Sequence, residues 1–243
     1  MKTFSLLTIL LLTSAWMAPA AESPLVRAEA LFAGRDNIDN LRQAVSLVED
    51  HLKSDSANYD ALCLLAKYTY YLSDREKDDT ARLKLLETAI EAAKKAVKLH
   101  GERVEGHFWL GASYGEYAEM KGAFHTLRLI KTIRKEFETG LKIDPAYQNG
   151  DAYVALGELD IRLPRLLGGD DRHGISLMEH GLRVAPKNAD LKLTLAENYA
   201  RMGRKEEARR LAEDVLSIAD PARTTAEQEV FRSKARRLLE KLR

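Results

Sequence analysis

A single cysteine, Cys63, stands among 243 residues, so no disulfide within one chain can hold this fold. Its neighbours in "ALCLLAKY" are apolar, the setting of a small buried hydrophobe and not of a reactive thiol. Proline (6) and glycine (14) are scarce, which argues against a β fold built on frequent tight turns. The net charge is only +1, so no overall excess advertises nucleic acid or an anionic membrane as a partner. A run long enough to span a bilayer is missing too. The one candidate, residues 4–15, falls short of the ~20 residues a spanning helix needs and is closed by Pro19.

Catalytic signatures are absent as well. There is no HExxH, no P-loop, no G-x-S-x-G and no G-x-G-x-x-G. The histidines, His51, His100, His107, His125, His173 and His180, form no close pair. His173 and His180 are seven residues apart, two helical turns, which is too far for a shared metal. "RSKARRLLEKLR" near the C-terminus is basic but lacks interleaved aromatics for stacking on bases. The residues therefore point to a non-enzyme with no cofactor, no metal and no nucleic acid.

What is present begins with the leader. Lys2, the apolar run, and Ala18-Pro19-Ala20 make the three-part layout of a secretory signal peptide over residues 1–20. The expectation is a periplasmic or secreted protein. No cysteine stands at the cleavage site, so a lipid anchor has no attachment point there. Apolar residues at 45 % and charged residues at 31 % then suit a packed core under a well-solvated surface.

Beyond the leader the chain repeats. In "LTLAENYARMGRKEEARRLAEDVLSIADP" a large–small pair, Leu195-Ala196, is followed by Tyr199, Gly203, Ala208, Ala212 and Val215, and Pro221 closes the unit. Small residues at Ala196 and Ala208 let two antiparallel helices approach closely, and Gly203 suits the turn between them. This resembles the tetratricopeptide repeat. Leu65-Ala66 with Ala89, Ala93 and Ala96 repeats the pattern, as does Leu110-Gly111 with Tyr114, Phe137, Gly140 and Pro145. Leu156-Gly157 with Met178, Gly181 and Pro186 repeats it again. A weaker unit precedes them, as terminal units of arrays often are. The expected fold is all-α: a tetratricopeptide-like superhelix of about five helix-turn-helix repeats over 24–56, 58–101, 104–145, 149–186 and 189–221. A capping helix over 225–242 follows, with Thr225 as N-cap and Phe231, Ala235, Leu238 and Leu242 as its apolar stripe.

Spacing between the small residues of paired helices is irregular. It is 12 residues from Ala196 to Ala208, but 17 from Gly157 to Gly174, 22 from Gly111 to Ile133 and 23 from Ala66 to Ala89. Three repeats thus carry insertions at the turn within the pair, and insertions at one repeat position gather on one edge of a solenoid. The shortest is "IRLPRLLGGDDRHG". Pro164 stops the helix before it, Gly168 and Gly169 make the turn, and Asp170 or Asp171 caps the next helix. Leu166 and Leu167 are apolar residues in a loop. Either they tuck onto the neighbouring repeat, or with Gly168, Gly169 and Asp170 they form an apolar lip for a partner or ligand.

Taking the large–small pairs as marking the core side, the opposite face of the first helices carries Lys67, Tyr70, Phe108, Glu116, Glu158, Arg162, Glu197 and Arg201. Two aromatics among charges of both signs suit a protein segment, or a small apolar or amphipathic ligand held between helices.

The stretch from "GLKIDPAYQNGDAYVALGELDIRLPRLLGGDD" onward, with its "LPxxLGGD" loop, resembles the T component of TRAP (tripartite ATP-independent periplasmic) transporters. That resemblance implies a periplasmic scaffold able to form homo-oligomers, with an apolar cavity, partnering a periplasmic substrate-binding protein. "LGASYGEYAEMKG" before a long insertion resembles a second family, the microtubule-dynamics-regulator type of repeat protein. The leader argues against the cytosolic role this second likeness implies.

Overall fold

Five helical hairpins follow one another where the chain is punctuated by Asn, Asp, Gly and Pro. A computed structural model describes residues 23–220 and 223–243. The expected signal peptide and Pro221 lie outside the described residues. The first hairpin is α1 (Pro24–Ala33) and α2 (Ile38–Ser54), and the second α3 (Tyr59–Arg75) and α4 (Asp79–Leu99). Next come α5 (Val104–Lys121) with α6 (Ala123–Ile143), and α7 (Asp151–Arg162) with α8 (Asp171–Val184). The last is α9 (Ala189–Arg201) with α10 (Lys205–Ser217), and α11 (Thr225–Lys241) follows. Among the described residues the fold is all-helical, as the periodicity predicts.

The helix starts have local causes. Asn37, Asn58, Asp78, Asp170 and Asn188 each accept a hydrogen bond on the side chain from a backbone N–H of the first turn, which satisfies donors that a helix leaves free. At α11 the cap is Thr224, one residue before the expected Thr225. Its hydroxyl accepts from the Glu227 N–H while the Glu227 carboxylate accepts from the Thr224 N–H, a reciprocal pairing that Thr225 is out of register to make.

Small residues set the spacing within hairpins. Ala66, Ala89, Ala196 and Ala208 are fully buried, and Gly111 and Gly157 are buried too. At Gly157 the backbones of α7 and α8 touch: a Cβ there would lie 3.0 Å from the Gly174 carbonyl oxygen, and one on Gly174 would lie 2.6 Å from that of Gly157.

Two of the three insertions are not turn insertions. Helices α3 to α6 have 17, 21, 18 and 21 residues, against 13 each for α9 and α10. The extra residues of the second and third repeats are added helical turns. Neither insertion contains a proline, and only Gly122, at φ 87°, separates α5 from α6. Only the fourth repeat spends its insertion on a loop. There Leu163, in extended conformation before Pro164, ends α7, and Gly168 at φ 88° turns the chain.

The final helix does more than cover the last repeat. Its Ala235 and Leu242 are buried, and the Arg209 guanidinium donates to the Leu242 carbonyl at 3.0 Å. At its other end α11 meets the first hairpin. Glu227 pairs with Arg35 at 2.6 Å and with Arg75 at 3.6 Å, and the Thr224 hydroxyl donates to Asp36 at 2.6 Å. The superhelix is curved enough for its first and last elements to be clasped together.

Candidate functional site

The curvature encloses a cavity of about 870 Å³, walled by α3, α5 and α7 and bordered by α11. Its aromatic wall is Tyr70, Tyr71 and Trp109. The Trp109 ring centroid lies 5.8 Å from that of Tyr70 and 6.1 Å from that of Tyr71. Trp109 Nε1 donates to Tyr147 Oη at 3.1 Å, which fixes the indole. Phe231 of α11 borders the cavity from the opposite side. Ala112, Gly115 and Ala155 supply the empty space, and a Cβ on Gly115 would meet nothing within 4 Å.

The polar lining is predominantly acidic: seven carboxylates against three arginines. Asp151 accepts from Arg223 at 2.7 Å and from Asn188 at 2.9 Å. Glu116 accepts from Arg82 at 2.9 Å, and Glu158 from Arg162 at 3.0 Å. Loss of water around these groups disfavours their charged form. Burial lifts Asp151 to about 6, against the opposing pull of Arg223. The same cause raises Asp190, Glu116 and Glu158 above the usual carboxylate range. Aromatic faces attract cations, and carboxylates beside them add to that attraction.

The residues expected on the groove separate into two sets. Tyr70, Glu116, Glu158 and Arg162 line the cavity, and Phe108 reaches it from the core. Phe108 is only 7 % exposed, packed edge-on against Trp109, Phe137 and Tyr147. Lys67, Glu197 and Arg201 do not line it. The Lys67 ammonium sits 4.5 Å above the Phe32 ring, where burial lowers its pKa. Glu197 and Arg201 are carried on α9, away from the cavity lining, and Arg201 donates to Asn198. In the loop, Asp170 caps α8, accepting from the N–H groups of Arg172 and His173. Gly169 is packed so closely that a Cβ would fall 1.8 Å from the Leu163 oxygen. Leu166 and Leu167 do not tuck away: they are 99 % and 45 % exposed.

The lining also includes Tyr71, Trp109, Asp151, Asp190, Arg223 and Phe231, which the expected groove face does not contain. In α5 the cavity face runs through Trp109, Ala112, Glu116 and Glu119, at spacings of three and four residues from Trp109. The choice of Phe108 was one position, about 100°, off that face. Arg223 lies just before α11 and Phe231 within it, and the approach of that segment to the groove is a long-range event that no local pattern encodes.

Other polar clusters are structural. His107 Nδ1 lies 2.5 Å from Glu136 Oε2, and its Nε2 lies 2.9 Å from the Gly101 oxygen, which ties α5 to α6. Asp160 holds Arg134 of α6 at 2.6 Å and His173 of α8 at 2.5 Å. No group of three potential metal ligands occurs among the described residues.

Stacked helical hairpins around a concave, ligand-sized groove define a helical-repeat scaffold of the tetratricopeptide kind. The chain belongs to the family described as regulator of microtubule dynamics protein 1-3, whose model matches residues 25–159, more than half of its length. A thermophilic tetratricopeptide protein of Thermus thermophilus, TTC0263, has a similar solved structure. Its TM-score is 0.61 at 20 % identity, with 87 % of this chain and 96 % of that one covered. A structure of MamA matches at a TM-score of 0.49 and 18 % identity, covering 86 % and 94 % of the two chains. No curated protein matches the sequence. The Thermus likeness covers a larger share of the chain, 87 %, than the family model does, and it bears on the fold alone.

Proposed function

We propose that this protein is a non-catalytic scaffold that holds a segment of a partner protein in its concave groove, and that the segment carries Lys or Arg beside apolar side chains. The observation that supports this reading is the lining itself, aromatic and predominantly carboxylate, around a space of about 870 Å³. Exposed-to-buried transfer of an apolar side chain contributes roughly 1.5–3 kcal/mol, and a cation over an aromatic face adds about 0.5–2 kcal/mol. Several such anchors together suffice for a micromolar complex after the cost of ordering the segment.

A titration followed by Trp109 emission tests it. An Arg- and Leu-containing peptide should bind, and the same peptide with Glu in place of Arg should not. Tyr70→Ala and the double variant Glu158→Gln, Asp190→Asn should each weaken binding about tenfold or more without loss of helicity. Equal binding of both peptides would remove the reading.

The family name concerns microtubule dynamics. The export expected from the leader separates this chain from that setting, so the scaffold and its groove are what we carry over. Within the periplasmic reading, a role beside a substrate-binding protein of a TRAP-type transporter rests on the "LPRLLGGD" likeness. Co-purification of such a binding protein is its test. A second reading, carriage of a small amphipathic ligand, is favoured by the size of the cavity and by Val154, Val230 and Phe231 in its wall. Native mass spectrometry of the purified chain separates the two, since a carrier retains a small molecule that the Tyr70→Ala variant loses.

A further inference from the structure

Four exposed large apolar side chains, including the two most exposed among the described residues, are carried by two segments that adjoin the cavity. Phe124 and Leu127, 68 % and 46 % exposed, are in the first turns of α6, and Leu166 and Leu167 are in the α7–α8 loop. The two segments adjoin one cavity, whose lining includes Ala123 and Thr126 from α6 and Arg162 and Leu163 from the end of α7. The loop is also tied to α6, because Asp160 pairs with Arg134 and its carbonyl accepts from the Asp170 N–H at 2.9 Å.

Cations predominate on the two segments that carry these tips. No carboxylate occurs between Glu119 and Glu136, a stretch with Lys121, Arg128, Lys131, Arg134 and Lys135, and none between Asp160 and Asp170. Positions 124, 127, 128, 131 and 135 share one face of α6, and Phe124, Leu127, Arg128, Lys131 and Lys135 are all exposed on it. Arg128 lies 5.9 Å from the Phe124 ring centroid. Outward faces of three of the other second helices are different. On α2, α4 and α10 cations are matched by carboxylates three residues away: Asp39 with Arg42 and Asp50 with Lys53 on α2, Glu91 with Lys94 on α4, and Glu206 with Arg209 on α10; α8 has no such pair among its described residues. Acidic groups bound the patch, with Glu76, Asp78 and Asp79 at the preceding turn and Asp170 and Asp171 at the start of α8.

We propose that this edge docks the protein on an anionic membrane surface, with Phe124, Leu127, Leu166 and Leu167 entering the headgroup layer and Arg128, Lys131 and Arg165 facing lipid phosphates. Exposed apolar tips ringed by cations match that surface on both counts, burial and charge. A protein partner of ordinary composition would have to supply a concentrated acidic patch to do the same.

The test is flotation of the full chain with vesicles at an ionic strength of about 0.1 M, where charges interact over about 10 Å. Binding to phosphatidylcholine–phosphatidylglycerol vesicles is expected, with little to phosphatidylcholine alone. Lys131→Ser with Arg165→Ser should weaken partitioning by roughly fivefold for each cation removed. Phe124→Ser with Leu166→Ser should weaken it at least as much. Lys53→Ser with Lys95→Ser, the same charge change elsewhere, should bind as the unaltered chain does. All variants keep residues 1–22, so any contribution of the leader cancels in the comparison. Because every altered side chain is exposed, thermal unfolding should not shift and loss of binding cannot come from misfolding. Equal flotation of all variants, or equal binding to both kinds of vesicle, would overturn the proposal. So would capture of the patch by an acidic protein without any vesicle association.

Discussion

Replacing Gly157 by alanine should destabilise this protein, although alanine is the better helix former by about 1 kcal/mol. The reason is steric. The new Cβ would stand 2.6 Å from Met178 Cγ and 3.0 Å from the Gly174 carbonyl oxygen. Met178 is fully buried, and the carbonyl belongs to the backbone of α8, so neither can simply swing aside. Overfilling a packed contact costs about 1–3 kcal/mol, which after the propensity gain leaves a net loss of up to about 2 kcal/mol. Gly115 gives the internal control. It lies in the same kind of helix interior, but a Cβ there meets nothing within 4 Å. Gly115→Ala should keep the propensity gain and stabilise by up to about 1 kcal/mol. For a chain of this size 1 kcal/mol is about 2–4 °C in Tm. Thermal and urea unfolding by far-UV circular dichroism should therefore rank Gly115→Ala above the unaltered protein and Gly157→Ala below it. If Gly157→Ala melts at or above Gly115→Ala, the close approach of α7 and α8 is not what that glycine serves.

Three further outcomes are expected. Glu227→Gln removes one partner of an ion pair whose side chains are 6 % and 14 % exposed, so about 3–5 kcal/mol should be lost, and hydrogen exchange should quicken at the start of α11 while α9 and α10 stay protected. Asp151 is raised by burial to about 6, so between its unfolded pKa and that value the folded state holds the extra proton. Stability then falls as pH rises from about 4 towards the folded pKa, by up to about 3 kcal/mol for this group. Asp151→Asn should flatten that part of the stability–pH curve measured by urea unfolding, and a cationic peptide in the groove should bind more weakly as pH drops through the folded pKa. Cys63 is buried and its thiol is pushed up to about 12, so a thiol reagent under mildly alkaline conditions should label it only at the rate of global unfolding.

Helical hairpins were legible because their signals are local. Leu–small pairs, the Asp170 cap and the Pro164 stop act within one or two turns, and a short-range rule reads them directly. The lengths of α3 to α6 were not legible in the same way. An insertion between two landmarks is the same number of residues whether it coils as helix or loops out. Of the face read from the sequence, Tyr70, Phe108, Glu116, Glu158 and Arg162 are in the cavity lining, whereas Lys67, Glu197 and Arg201 are not. The overall charge balance likewise concealed a local excess. Cations on α6 and in the α7–α8 loop are cancelled in the total by carboxylates elsewhere, and only the packed chain brings them to one edge.

Periodicity and punctuation by themselves determined an all-α array of paired helices closed by alanine- and glycine-sized contacts, since these contacts join residues at fixed short spacing. The closed groove was decided by tertiary structure. Superhelical curvature accumulates small rotations over five hairpins until Glu227 reaches Arg35, 192 residues away, and no local pattern carries that sum.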